Sequence, residues 1–234
     1  MNTNSQLLCA HSALLFAGLL GLGVFGLAGW LPPIRPAMDA VTLQQLFIEN
    51  QTRIRLGASV LVAGAVLWWT FSAVVSVQLK RIEGRHPVLA YAQFLASSGT
   101  VIVLVTVGYL WLALAYRPAN LEPSTMQLIN DFCWMMFVGA WPPAVLQAIV
   151  IGVCVLKDKS AAPVYPRWVG FANLWIAFLF MPGALIPFFK SGPFAWDGVL
   201  AFWLVAVAFF GWILMLWSTT VRAIKAQAAS PHPA

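Results

Sequence analysis

Six long apolar runs constrain the fold of this chain more than any other feature. A helix needs about 20 apolar residues to cross the hydrocarbon core of a bilayer. Runs that reach this length lie near 7–31, 56–79, 88–116, 131–156, 168–190 and 198–221. Short connections separate them, so consecutive runs must be antiparallel neighbours. The sequence therefore predicts an all-α polytopic membrane protein, a bundle of six transmembrane helices that forms a single membrane domain over residues 1–234.

The composition restricts the surface and the partners of such a bundle. Only 9% of the 234 residues are charged, whereas a soluble domain carries roughly 25%. So few charges cannot cover a water-facing surface, and most of the exterior must therefore contact the lipid bilayer. The net charge is +6, but the basic residues lie in short runs between apolar segments and not on one basic face. We expect no nucleic-acid partner.

Two further segments are predicted outside the six spans. Within residues 38–54, apolar side chains recur near one side of a helix and polar ones lie elsewhere. This pattern is typical of a short amphipathic helix at the membrane interface. Such a helix either caps the bundle or simply connects two spans along the surface. Residues 226–234 are predicted to form a disordered C-terminal tail.

Lysine and arginine indicate the orientation of the bundle, because they are enriched in cytoplasmic loops. With the N-terminus in the cytoplasm, eight of them fall on the inner side and five on the outer side. The inner residues are Lys80, Arg81, Arg85, Lys157, Lys159, Arg167, Arg222 and Lys225, and the outer ones are Arg35, Arg53, Arg55, Arg117 and Lys190. We therefore expect both termini in the cytoplasm.

Prolines interrupt two of the predicted spans near the middle of the membrane. The fourth contains Trp141, Pro142 and Pro143, and the fifth contains Pro182. Proline removes a backbone donor and clashes with the preceding turn of a helix. At this depth an irregular backbone is tolerated only where protein or a water-filled cavity satisfies it. The prolines therefore either frame a binding cavity or bend helices around their neighbours.

Three amide side chains inside the spans, those of Gln93, Gln147 and Asn173, need polar partners in hydrocarbon. They either line a polar pocket or form hydrogen bonds between helices. The candidate ligand-binding residues are Gln93, Trp141, Pro142, Pro143, Gln147, Asn173 and Pro182.

Charged residues form a second candidate cluster, at the outer rim of the bundle. Asp131 and Asp197 are each predicted at the outer N-terminus of a helix, where a carboxylate complements the helix dipole. Arg55 enters the second span at the same level. We expect an Arg55–Asp131 or Arg55–Asp197 ion pair there. The same two carboxylates are the only candidates for acid–base catalysis in a membrane-embedded enzyme of the isomerase or cyclase type.

The sequence contains no recognisable cofactor or metal site. Its three histidines are scattered, and its three cysteines form no metal-ligand spacing. No nucleophile elbow, zinc-protease motif or glycine-rich phosphate loop is present. We therefore expect no catalytic residues, no metal and no cofactor, and an enzyme is the less favoured reading.

Four segments resemble those of a group of uncharacterised bacterial six-pass integral membrane proteins. They are FIENQTRIRLGA (47–58), WPPAVLQ (141–147), YPRWVGFANLW (165–175) and KSGPFAWDGVLAFWL (190–204). The likeness covers most of the chain from Phe47 to Ala223. It implies six spans and a place in the bacterial cytoplasmic (inner) membrane, and it carries no known activity or site residues.

Three functional hypotheses follow from these patterns. The leading one is a membrane protein that binds or transports a hydrophobic or amphiphilic small molecule at the proline breaks. The second is an accessory subunit of a membrane complex, completed by a membrane-protein partner or by further copies of the chain. The third is the membrane-embedded enzyme that uses Asp131 and Asp197.

Overall fold

The computed structural model of the protein describes residues 2–229, and these residues form an all-α fold. Six helical segments are long and apolar enough to cross a membrane: Thr3–Leu27, Gln51–Glu83, Val88–Tyr116, Pro123–Lys157, Arg167–Phe188 and Val199–Ala229. They are called the first to sixth spans below. The predicted all-α polytopic fold with six spans is confirmed.

Residues 2–229 contain nine α-helices, eight of them in the spans, together with short stretches of tighter or wider helix. The α-helices are α1 Thr3–Gly21, α2 Ala40–Glu49, α3 Gln51–Ala65, α4 Leu67–Glu83, α5 Val88–Tyr116, α6 Pro123–Val138, α7 Trp141–Lys157, α8 Arg167–Phe180 and α9 Val205–Ala229. Leu22–Leu27 and Val199–Leu204 are π-helical, and Pro118–Asn120 and Met181–Phe188 are 3₁₀-helical. The second and fourth spans therefore each consist of two α-helices.

Helix α5 packs against α3, α4, α6 and α7. Both termini of the described chain lie at one end, where the Gln78 amide donates to Gln6 and Gln227. We call this end the terminal side and the opposite end, which carries α2, the α2 side. The bundle therefore places the start of α6 on the α2 side and the end of α7 on the terminal side.

Two glycines allow the first and second spans to approach each other closely on the α2 side. A Cβ atom added to Gly23 would lie 2.7 Å from the Gly57 carbonyl oxygen. A Cβ atom on Gly57 would in turn overlap the carbonyl oxygen of Gly23. Only residues without a side chain permit this backbone contact, which is a common way for membrane helices to pack.

Helix α2 covers the end of the bundle on its side. Its Leu43 and Phe47 side chains are buried. The Gln44 amide donates hydrogen bonds to the carbonyl oxygens of Pro118 and Leu121 at 3.0 and 2.6 Å. The helix occupies the middle of the predicted segment 38–54, and it packs against α6 as a cap.

Two predicted boundaries are wrong. The fourth span begins at Pro123 and not near 131, because Glu122 is the N-cap and accepts a hydrogen bond from the Thr125 amide at 3.0 Å. Asp131 therefore lies two turns inside α6. Helix α9 continues through Ala229, so residues 226–229 are helical and not part of a disordered tail. Residues 230–234 of the predicted tail lie outside the described residues.

Candidate functional site

The fourth span is broken in its middle, between α6 and α7. Gly139 and Ala140 separate the two helices, and Pro142 and Pro143 lie in the first turn of α7. Proline is tolerated there because the first amides of a helix have no partner within it. The carbonyls of Val138 and Gly139, which a continuous helix would pair with residues 142 and 143, have no donor in these prolines. The prolines therefore begin a helix, and they do not bend one.

The break lies near the middle of the fourth span. Val138 is fifteen residues from the start of α6, or about 23 Å along the helix axis. Lys157 ends α7 sixteen residues after Trp141, or about 24 Å farther. The irregular backbone is therefore about equally far from the two ends of the span.

A cavity of about 100 Å³ adjoins this break. Its walls come from the first, third, fourth, fifth and sixth spans and are almost entirely apolar. The lining residues are Leu20, Phe25, Thr100, Leu104, Phe137, Val138, Ala140, Trp141, Ala144, Phe180, Phe202, Val205, Ala206, Phe209 and Phe210. Several of these, including Phe25 and Phe210, are only partly buried. The cavity therefore reaches the outer surface of the bundle near the middle of the spans.

Thr100 supplies a polar side chain to this apolar lining. It lies twelve residues into α5, about 18 Å from the start of the helix. The residue is 5% exposed, and its hydroxyl has no hydrogen-bond partner among residues 2–229. An unpaired hydroxyl in an apolar environment is costly, commonly by about 1–3 kcal/mol. The hydroxyl oxygen is itself enclosed, so a ligand reaches it only where a neighbouring side chain moves aside.

The fifth span packs against the break through its 3₁₀ segment, which contains Pro182. A Cβ atom added to Gly183 would lie 3.3 Å from both the Val138 carbonyl oxygen and the Trp141 Cβ atom. The two proline-containing regions predicted to lie together are therefore neighbours, and Trp141 lines the cavity.

Gln93 and Gln147 are not among the residues that line the cavity. Their polar atoms instead form hydrogen bonds between helices. The Gln147 amide donates to Gln93 at 2.9 Å and accepts from the Trp68 indole at 3.4 Å. The Gln93 amide donates to the Ser72 carbonyl and the Ser76 hydroxyl at 2.7 and 2.6 Å. This network joins α4, α5 and α7. The structure thus favours the interhelical alternative for these two residues.

Asn173 is not hydrogen bonded to either glutamine, and its partners are Val169 and Trp212. Its amide donates to the Val169 carbonyl at 2.8 Å, and its oxygen accepts from the Trp212 indole at 2.8 Å. Asn173 is fully buried. Its polar atoms therefore join α8 to α9 and are not free for a ligand.

The predicted ion pairs at the rim are not formed. Within the described part of the chain, Arg55 makes no ion pair with Asp131 or Asp197, and its guanidinium lies 5.8 Å from the centre of the Tyr116 ring. Asp131 is in the interior of α6 and not at a helix start, which removes the reason for its predicted capping role. Asp197 precedes Gly198, the N-cap of the sixth span, as expected. Neither aspartate lines the cavity.

Most of the cavity lining could not be predicted from the sequence. Thr100 was not singled out, and Phe180, Phe202 and Phe209 could not be distinguished from lipid-facing or core residues. No signal in the sequence distinguishes Thr100, because Ser97 and Ser98 precede it and Thr106 follows it in the same span.

No group of three or more His, Cys, Asp or Glu side chains within residues 2–229 is placed to hold a metal ion. Comparisons with protein-family models, curated proteins and solved structures found no match to this chain.

Proposed function

We propose that this integral membrane protein binds or passes a hydrophobic or amphiphilic small molecule in the cavity at the break of the fourth span. The observation that carries the proposal is an apolar cavity beside an interrupted helix, with Thr100, whose hydroxyl has no partner, among its lining residues. A bundle that served only as a scaffold would gain stability from filling this space. A binding site instead requires the space and the unpaired group.

Size and depth restrict the occupant. An engineered cavity of about 150 Å³ lined by Leu, Ile and Phe holds one benzene molecule. The volume of about 100 Å³ therefore suits part of a larger molecule, such as a segment of an alkyl or isoprenoid chain. Because the cavity reaches the surface near the middle of the spans, the occupant enters from the bilayer. The candidate site therefore comprises Thr100, Trp141 and the surrounding apolar lining, and not the amides of Gln93, Gln147 and Asn173.

The proposal includes the setting of the protein. We infer that it is a member of the bacterial six-pass group it resembles and lies in the inner membrane, with both termini in the cytoplasm. The alternatives have less support. The accessory-subunit hypothesis expects a bundle packed without a cavity, and the enzyme hypothesis expects Asp131 and Asp197 over a pocket that neither of them lines.

The first test is native mass spectrometry of the gently solubilised protein, followed by organic extraction of whatever it retains. We expect a small apolar or amphiphilic molecule in stoichiometric amount. A stable second polypeptide in place of a small molecule would support the accessory-subunit hypothesis and contradict the proposal.

A pair of variants tests whether the molecule binds in the cavity. Ala144→Phe fills the space, because Ala144 is buried in the lining. Leu146→Phe adds an aromatic ring to the same helix at a position that is 49% exposed. We expect Ala144→Phe to reduce binding of an alkylbenzene at least tenfold and Leu146→Phe to leave it unchanged. Equal binding by both variants, each with a normal unfolding temperature, would exclude this cavity as the site.

A further inference from the structure

Five buried side-chain polar atoms in the described chain have no hydrogen-bond partner, and Thr100 accounts for one of them. The other four are the indole nitrogens of Trp30, Trp111 and Trp134 and the side-chain oxygen of Asn130. We call these four residues the tryptophan cluster. A buried indole N–H usually finds a partner, and an unpaired donor is most costly where no water is available. Three such donors in one place therefore require an explanation.

The three indoles are in direct contact with one another. The ring centres of Trp30 and Trp111 are 4.5 Å apart, those of Trp111 and Trp134 are 5.4 Å apart, and those of Trp30 and Trp134 are 5.7 Å apart. Asn130 lies one turn before Trp134 on the same face of α6. The rings pack edge and face against one another, and their nitrogen atoms are enclosed, so a ligand oxygen reaches an N–H group only where a neighbouring side chain moves aside. Contacts between N–H groups and rings are weak and do not replace an oxygen acceptor.

The tryptophan cluster packs against one wall of the cavity through a shared neighbour. Phe137 lines the cavity and lies 5.5 Å from the Trp111 ring and 6.0 Å from the Trp134 ring. On α5, Trp111 and Thr100 are eleven residues apart, which is about 17 Å along one face of the helix. An elongated molecule can therefore reach from one to the other.

The depth of the cluster corresponds to the polar end of an amphiphile. Trp111 is five residues, or about 8 Å, from the α2-side end of α5. Phe47 of the covering helix α2 lies 6.3 Å from the Trp30 ring. The cluster therefore lies beneath the cap and near the level of lipid headgroups, whereas the cavity lies near the middle of the spans.

We propose that the tryptophan cluster binds the head of the ligand, and that this head is a neutral group with carbonyl oxygens. This inference rests on the proposed function, because the cavity is taken to hold the tail of the same molecule. Three donors against one acceptor select a head rich in hydrogen-bond acceptors. The four residues of the cluster carry no charge, so none of them would compensate an anionic head. A benzoquinone or an ester on an apolar chain has the required chemistry.

The test compares three compounds that carry the same straight alkyl chain: an alkylbenzene without an acceptor, a methyl ester with one carbonyl, and an alkylbenzoquinone with two. We expect the wild-type protein to bind the ester and the quinone more tightly than the alkylbenzene. Trp111→Phe and Trp134→Phe each keep a ring and remove one N–H group. Each should weaken quinone binding about tenfold, the usual effect of one lost hydrogen bond, and leave alkylbenzene binding unchanged. Trp175→Phe, at a position 66% exposed, is the control.

The outcomes separate the two proposals. If all three compounds bind equally and the tryptophan variants have no effect, the cluster does not bind the head of the ligand. The cavity is then still supported as the site for the apolar chain. If none of the compounds binds the wild-type protein, the cavity proposal fails together with this inference. If the variants do not fold, the NMR signals of the indole N–H groups in ¹⁵N-labelled wild-type protein test the head site instead. A downfield shift of two or more of them with the quinone and not with the alkylbenzene supports the head site, and unchanged signals overturn it.

Discussion

At the scale of single residues, two buried polar side chains differ in a way that separates structure from binding. Gln147 is 1% exposed and hydrogen bonded to Gln93 and Trp68. Thr100 is 5% exposed and has no partner among the described residues. A satisfied polar group stabilises the fold, whereas an unsatisfied one lowers stability and is available to a ligand.

This contrast predicts opposite effects for two substitutions. Gln147→Met leaves the Trp68 indole and the Gln93 oxygen unpaired, and we expect it to lower the free energy of unfolding by about 1–3 kcal/mol without a separate loss of binding. Thr100→Val removes an unpaired hydroxyl, and we expect it to raise the free energy of unfolding by about 1 kcal/mol. Unfolding in mild detergent, with and without an alkylbenzene, measures both. Loss of binding by folded Gln147→Met would restore the amides as the ligand site.

At the scale of elements, the break between α6 and α7 depends on the two prolines. Replacing Pro142 and Pro143 with alanine supplies the missing donors to the Val138 and Gly139 carbonyls. We expect a continuous helix from α6 through α7, an unfolding temperature equal to or above that of the wild type, and at least tenfold weaker alkylbenzene binding. Amide hydrogen exchange at residues 138–144 reports the new hydrogen bonds. Unfolding without a separable binding defect would instead show that the break is a packing requirement.

The connection between α7 and α8 is organised by one carboxylate outside the membrane spans. Asp158 accepts hydrogen bonds from the Ser160 amide at 3.0 Å and the Val164 amide at 2.8 Å. Burial opposes ionisation, but the hydrogen bonds from Ser160 and Val164 and the charge of Arg81 outweigh it and lower the pKa of Asp158 below its ordinary value of 3.8. The ionised form is therefore the one that stabilises this connection.

The sign of the pH dependence follows from this lowered pKa. The contribution of Asp158 is fully present well above pH 3.8 and is lost as the pH falls through the lower value of the folded state. We expect the unfolding temperature of the wild type to exceed that of Asp158→Asn at neutral pH, and the difference to shrink below about pH 4. A difference that stays constant down to pH 2 would contradict the assignment.

At the scale of the whole molecule, the arrangement of the spans fixes the relative positions of the termini and of α2. The orientation in the membrane is predicted from the basic residues alone. A phosphatase active only outside the cytoplasm should be inactive when fused to the C-terminus and active when inserted before Ala40, at the start of α2. The reverse activities would show that the eight basic residues on the terminal side face outward.

The sequence predicts those features that depend on residues close to one another in the chain. Runs of apolar residues predicted the six spans, because a membrane helix must satisfy its own backbone. Pro142 and Pro143 indicated an irregularity at the right depth, but their sequence does not distinguish a bend from a new helix. Asp131 was placed at a helix start because the polar residues of 123–130 interrupt the apolar run. Thr100 and Phe202 lie on different spans, and only packing brings them to one cavity.

The position of the cavity entrance determines how affinity must be measured. The cavity opens near the middle of the spans, so the ligand that we propose first dissolves in the bilayer and then meets the protein there. Occupancy therefore follows the mole fraction of ligand in the lipid and not its concentration in water. Adding lipid or detergent at constant total ligand should lower the mole fraction of ligand in the lipid and therefore the occupancy of the site. The dissociation constant expressed as a mole fraction should stay the same.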